Sequence, residues 1–228
     1  HAVESSLAKS QFLFNMSHDI RTPMNAIIGY VNLAERDAVT ADDFREYISK
    51  IKGSSRHLLA LINDVLEMSR IESGKMELEP VAIDLKKTIG EVKDLFSTQM
   101  TEKEIEFIVD VSGIRQSRVL CDKNLLNRVL LNLVGNAYKF TPNGGTVSVR
   151  AWEIETDDKD YGKYELRVAD SGIGMSPEFA ARVFEAFERE RTSTVSGIQG
   201  TGLGMAITKS IIDLMEGTIE VNTIKGAG

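Results

Sequence analysis

Two apolar stripes at helical spacing fill the first third of the chain and constrain its fold more than any other feature. Phe12, Met16, Ile20, Met24, Ile27 and Val31 recur every three or four residues, which on a helix lines them along one side. After a polar stretch from Glu35 to Asp43, the residues Phe44, Ile48, Ile51, Ser55, Leu58, Ile62 and Val65 repeat at alternating steps of four and three. That is a heptad seam. Thr40 suits the N-cap of the second helix, with Asp42 and Asp43 in a first turn where the helix dipole favours negative charge. Two such helices joined as an antiparallel hairpin cannot bury both stripes by themselves. Pairing with a second copy into a four-helix bundle buries them, so the pattern predicts a homodimer. The alternative is a hairpin that packs against its own C-terminal part.

Ser73-Gly74 ends the second helix and Pro80 follows soon after, which predicts a hairpin domain over 1–74, a linker over 75–80 and a second domain over 81–228. Beyond the linker the pattern turns to mixed helix and strand. Leu85, Ile89, Val92 and Phe96 fit a helix, and Ile105 to Val111 alternate as a strand. Lys123 to Lys139 fit a second helix. Val147, Val149 and Trp152 mark one strand and Tyr164, Leu166 and Val168 another, with a hairpin tip at Thr156 to Gly162. A helix around Ile207 to Met215 is followed by a strand at Thr218-Ile219-Glu220-Val221. The expected class is α+β: a helical hairpin, then an α/β sandwich with helices on one face of a mixed sheet.

Composition narrows the function classes. The 228 residues are 42% hydrophobic and 27% charged, the profile of a globular protein. A net charge of -7 argues against nucleic-acid binding, which runs on clustered Lys and Arg. The single cysteine, Cys121, excludes an internal disulfide and points to a reducing, cytoplasmic location; beside Val119 and Leu120 it reads as a buried small hydrophobe. No run approaches the ~18 apolar residues of a membrane span. The chain opens at His1 and stops at Gly226-Ala227-Gly228, and it reads as a soluble piece of a longer protein, joined to any membrane only through segments outside it.

Four constellations carry chemistry. In Ser17-His18-Asp19-Ile20-Arg21-Thr22-Pro23, His18 falls off the apolar stripe and faces solvent. Asp19 can hold its imidazole in one tautomer and take its proton. Thr22 lies one turn on, on the same face, and Pro23 removes a backbone bond and opens room there. An imidazole nitrogen without a proton is a competent nucleophile toward phosphorus. Asn132, Asn136 and Lys139 stand at i, i+4 and i+7, and two amides with one cation suit a hydrated Mg²⁺ and phosphate oxygens; a polar outer face is the plainer reading. Asp170-Ser-Gly172-Ile-Gly174 closes a strand, and Gly200-Thr201-Gly202-Leu203-Gly204 opens a helix. Glycines admit close backbone approach, and a helix N-terminus offers N–H groups to phosphate. No strand precedes Gly200, so a dinucleotide-binding βαβ reading fails. Between the two glycine segments lies Val183-Phe184-Glu185-Ala186-Phe187 and a polar stretch, Glu188 to Gln199. It reads as a lid whose Arg189 or Arg191 can meet a γ-phosphate, or as a plain surface loop.

In this order and spacing the pieces resemble the sensor histidine kinases of two-component signalling. The His18 segment is similar to their H box, Asn132 to Phe140 to the N box, and Asp170 to Gly174 to the first glycine box. Phe184 to Phe187 resembles the F box and Gly200 to Gly204 the second glycine box. The resemblance implies a dimerization and histidine-phosphotransfer hairpin followed by a Bergerat-type ATP-binding domain. It implies His18 as phospho-acceptor, Asp19 as its activating neighbour, and Thr22 as positioning water when the enzyme dephosphorylates its partner. Asn136 is the implied Mg²⁺ ligand, with Asn132 and Lys139 beside the phosphates. The resemblance further implies that Asp170 accepts from the adenine amino group, that Phe140 lies against the ring, and that Gly172, Gly174 and Gly200 to Gly204 admit the nucleotide. Arg189 matches a lid position near the γ-phosphate. ATP and Mg²⁺ are the implied cofactors, a response-regulator receiver domain the implied partner, and phosphoryl relay to its aspartate the implied function. His57 has no acidic neighbour and reads as structural. The family continues past Lys225-Gly226-Ala227-Gly228 with one more strand, so the last strand is expected to be missing here. Two rivals are a plain ATPase of the same nucleotide fold, which needs no His18, and a dimeric scaffold with a degenerate ATP site.

Overall fold

The computed structural model describes residues 2–36, 40–158, 161–188 and 201–228. They form two compact units, one holding His1–Met76 with Gly200–Leu203, the other Glu77–Gln199 with Gly204–Gly228.

The first unit is a hairpin of α1 (Ala2–Ala34), with Pro23 inside it, and α2 (Ala41–Glu72). At 1.5 Å per residue each helix runs about 50 Å. Thr40 caps α2 reciprocally: its Oγ1 accepts from the Asp43 amide at 3.2 Å, and its own amide donates to Asp43 Oδ2 at 3.3 Å. Both orphan donors are thus satisfied locally. At the other end Gly74 takes φ +64, its N–H reaches Ile71 O and the Lys75 N–H reaches Arg70 O. That left-handed stop needs no Cβ. Near the turn between the helices, the Tyr30 and Tyr47 rings lie 5.9 Å apart across the hairpin.

The predicted stripes are only partly covered. Met16 is buried and Ile20, Ile27, Ile48, Ile51, Leu58 and Val65 are half-buried. Met24, Val31, Phe44 and Ile62 stay exposed, together with Ile28, Leu59 and Leu66, which the heptad reading omitted.

The second unit holds two sheets. β1 (Val81–Asp84) pairs antiparallel with β3 (Arg118–Cys121). β2 (Glu106–Gly113), β4 (Thr146–Ile154) and β5 (Lys163–Asp170) form a mixed sheet in the order β2-β4-β5, the first pair parallel and the second antiparallel. α3 (Leu85–Glu102), α4 (Lys123–Phe140) and α6 (Gly204–Leu214) complete it, with a short α5 (Pro177–Ala180). Alternation on β4 sends Val147, Val149 and Ala151 inward, where they meet Ile89, Leu130 and Val134 in one buried cluster. Asp84 caps α3 and Asp122 caps α4. The second Asp122 oxygen accepts the Glu79 amide at 3.0 Å, which ties the entering chain to the start of α4.

Two expectations need correction. Thr218-Ile219-Glu220-Val221 is not a strand: β5 pairs with β4 on one side, and among the described residues nothing forms a ladder with 218–221. Side-chain and turn bonds hold the end of this segment instead, with Thr223 Oγ1 accepting from Met175 N and Ile224 N donating to Gly228 O. Cys121, read as a buried small hydrophobe, is half-buried, and Leu120 beside it is 76% exposed. Burial, and then the Asp122 carboxylate, push the Cys121 thiol pKa up, so it stays protonated.

Candidate functional site

His18 lies in the middle of α1 with 74% of its side chain exposed, whereas Asp19 beside it is 20% exposed. The helix sets this contrast, because consecutive residues turn 100° apart and only one of them faces out. His18 Nδ1 lies 3.5 Å from Asp19 Oδ1. One turn on, the Thr22 hydroxyl donates to the His18 carbonyl at 3.2 Å, which places it on the His18 face. The arrangement is an exposed imidazole with one nitrogen beside a carboxylate and the other left to solvent.

In the second unit, α4, the end of β5 and the first turn of α6 bring several predicted residues together. The Asn132 amide donates to Gly204 O at 2.7 Å and to the buried Thr208 hydroxyl at 3.1 Å. Asn132 therefore holds α6 against α4. Asn136 Nδ2 faces the Met205 sulfur at 3.5 Å. A thioether only accepts, so the nitrogen turns to it and Oδ1 is the atom left for another partner. Lys139 Nζ lies 5.0 Å from the Phe140 ring centroid, a cation over a π face.

Asp170 ends β5 and turns its Oδ1 to the Gly172 amide at 2.9 Å. Burial pushes its carboxyl pKa up, and the Gly172 N–H only partly offsets this. Gly172 fits because a Cβ there would come within 2.5 Å of Asp170 Oδ1 and 2.7 Å of Phe140 O. Gly174 has φ +58 and lies against the Ile224 carbonyl, a place for no other residue. The Ile173 amide donates to Phe140 O at 3.3 Å, which joins this loop to the end of α4.

The second glycine segment divides. Gly204 opens α6 beside Asn132. Thr201, Gly202 and Leu203 group with the first unit: Thr201 Oγ1 accepts the Leu203 amide at 3.2 Å, Gly202 takes φ +69 and Leu203 is fully buried. Gly200, Arg189 and Arg191 lie outside the described residues.

Sequence reasoning missed Met205, Thr208 and Lys103. Met and Thr in the first turn of an apolar helix read as core. Lys103 donates to the carbonyls of Tyr138 and Lys139, and its one sequence signal is that it directly follows the end of α3.

Comparison with known proteins bears on both units. Residues 8–74 match the model of the His Kinase A (phospho-acceptor) domain. Residues 121–228 match that of the Histidine kinase-, DNA gyrase B-, and HSP90-like ATPase. The Non-motile and phage-resistance protein of Caulobacter vibrioides is 38% identical over 231 residues, covering all of this chain and 27% of that protein. The Autoinducer 2 sensor kinase/phosphatase LuxQ of Vibrio parahaemolyticus is 33% identical over 227 residues, covering all of this chain and 26% of its own length. The chain thus spans about a quarter of these relatives. The crystal structure of full-length ShkA in complex with AMPPNP superposes with a TM-score of 0.68 at 33% identity, covering 95% of this chain and 43% of that one.

Proposed function

The chain belongs to the sensor histidine kinases and comprises their catalytic core, and from that premise we propose that His18 takes the γ-phosphoryl group of ATP and relays it to an aspartate of a response-regulator receiver domain. The observation that carries this reading is the His18–Asp19 pair. With its Nδ1 proton directed at the carboxylate 3.5 Å away, the imidazole keeps the Nε2 lone pair exposed. Nε2 attacks the γ-phosphorus, the bond from that phosphorus to the β–γ bridging oxygen breaks, and ADP leaves with the electron pair. The Nδ1 proton of the resulting cation is shared with Asp19. Transfer to the receiver aspartate returns the electron pair to Nε2 and restores the neutral ring.

The nucleotide belongs to the second unit. Asp170 accepts from the adenine amino group, and its desolvated position favours an amino donor over bulk water. Phe140 lies against the ring, with Gly172 and Gly174 admitting the backbone close to it. Lys139 meets the phosphates. Asn136 Oδ1, oriented by Met205, is the atom suited to Mg²⁺, a hard cation that takes few protein oxygens and keeps waters and phosphates as its other ligands. When bound, Mg²⁺ neutralises polyphosphate charge during transfer. The family resemblance assigns Arg189 and Gly200 to Gly204 to the phosphates, and of these Gly204 belongs to the same unit as Asn132 and Asn136. Asn132 acts by holding α6 in place. The chain works as a homodimer, supported by the apolar rows that the hairpin leaves exposed, and the proposed location is the cytoplasm. In the phosphatase reaction Thr22 positions a water that attacks the phosphorus of the receiver's aspartyl phosphate, whose bond to the carboxylate breaks to release inorganic phosphate.

Incubation of the chain with γ-labelled ATP and Mg²⁺ tests this reading. Acid-labile, base-stable label on the protein, absent in His18→Gln, is expected. ATP binding without any label, or ATP turnover with no protein label, would refute it. Phosphate release from a phosphorylated receiver, lost in Thr22→Ala, tests the reverse reaction.

A further inference from the structure

A helix leaves its last four carbonyls without intrahelical partners, and in α4 each of these finds a donor. The Ala137 carbonyl accepts from the Thr141 amide at 3.0 Å and from its hydroxyl at 2.6 Å. The Phe140 carbonyl accepts from Ile173 N. The two between them, Tyr138 and Lys139, share one donor group from the end of α3: Lys103 Nζ, at 2.8 and 3.5 Å. The same ammonium lies 4.9 Å from the Tyr138 ring centroid. Lys103 is half-buried, and its own carbonyl accepts the Gly144 amide at 3.4 Å, so the clamp also holds the loop after α4.

This turn carries an electrostatic conflict. A helix C-terminus bears a partial negative charge, and anions favour the opposite end. Yet of the residues read above as facing polyphosphate, Lys139 sits on the last turn of α4 and Asn136 directly before it. Lys139 faces the Phe140 ring, and a second cation bonded to the carbonyls offsets the dipole at its source.

We propose that Lys103 is a positioning residue for the nucleotide site: its ammonium neutralises the C-terminal end of α4 and holds Lys139 and Phe140 in place, so that the turn accepts a triphosphate. The inference rests on the nucleotide reading of this unit. Lys103 acts through the Tyr138 and Lys139 carbonyls and does not itself touch the ligand.

The test compares Lys103→Met and Lys103→Arg with the unaltered chain by titrating ATP and adenosine at low salt, at a temperature where all are folded. Lys103→Met is expected to weaken ATP binding about two- to fivefold, the range of a helix-dipole interaction, and to leave adenosine binding unchanged. Lys103→Arg is expected to restore ATP binding. Equal losses for both ligands would mean a purely structural clamp and overturn the proposal, as would no loss for either. Carbonyl carbon shifts of Tyr138 and Lys139 in nucleotide-free protein read the clamp alone, and a Lys103→Met spectrum identical to the original would also overturn it. An unaltered chain that binds neither ligand would instead sink the nucleotide reading, while those shifts still decide whether the clamp exists.

Discussion

In the α/β unit, Leu130, Val134 and Val147 are sealed from solvent, whereas in the hairpin Leu59 and Leu66 stand 60% and 59% exposed. The same contrast runs through the chemistry. His18 stands out in solvent with one carboxylate beside it, while Asp170 is desolvated and Asn132 is spent on α6. In the proposed function, His18 meets ATP and then a receiver domain, a task suited to an exposed helix face. In the same proposal Asp170 selects the base, a task suited to a half-buried site where water competes less. On the proposed homodimer reading the hairpin is half of an interface, whereas the second unit seals its own main cluster.

The largest expected effect breaks the first half of this contrast. Leu59→Glu with Leu66→Glu removes four leucines from a two-fold interface, about 6 kcal/mol at roughly 1.5 kcal/mol each. The dimer dissociation constant is expected to rise by roughly four orders of magnitude, read by sedimentation, with the fold of the second unit intact. An unchanged dimer would show that another face pairs.

Asp170→Asn sharpens the second half. Asn keeps an acceptor for the Gly172 amide but presents a donor to adenine, so ATP binding is expected to weaken about tenfold or more. Thermal stability should move the other way. The folded-state pKa of Asp170 is raised, so the penalty for its charge is absent below the ordinary carboxylate pKa, grows between that value and the folded one, and is full above it. The stability gain of the variant is therefore expected near neutral pH and should vanish in acid. A loss of stability at neutral pH would show that the carboxylate is not the strained form.

The smallest effect concerns the helix ends. α2 and α3 stop with the same pair of reversed bonds; in α3 these run from Glu104 N to Thr101 O and from Ile105 N to Met100 O. At the left-handed position α2 has Gly74, but α3 has Glu104 at φ +55. Glu104→Gly is expected to stabilise the second unit by about 0.5–1 kcal/mol, measurable as a raised melting temperature without change in nucleotide affinity.

That pair of helix ends also shows what can be read in a sequence. Gly74 announces the stop of α2. Nothing at Glu104 announces the stop of α3, because the residue favoured there is absent although the same reversed bonds form. The heptad reading named Ile62 and Phe44 but passed over Leu59 and Leu66. Period alone locates a stripe, and which flank of it stays open depends on how the other helix lies. The strand expected at Thr218 to Val221 has suitable residues for one. A ladder, however, needs a neighbour, and propensity does not supply it.

The amino-acid order by itself determined the two amphipathic helices, the caps at Thr40 and Gly74, and the placing of His18 beside Asp19, because all of these depend on dihedral preferences and bonds within a few residues. It also marked Asn132, Asn136, Lys139, Asp170 and the glycines as a set. Tertiary structure alone decided that Asn132 serves Gly204 and Thr208, that Met205 turns the Asn136 amide, that Lys103 closes α4, and that Asp170 is desolvated. Each of these joins groups distant in the chain or depends on what surrounds a residue. A polar atom removed from water takes whichever partner the packed core brings within reach.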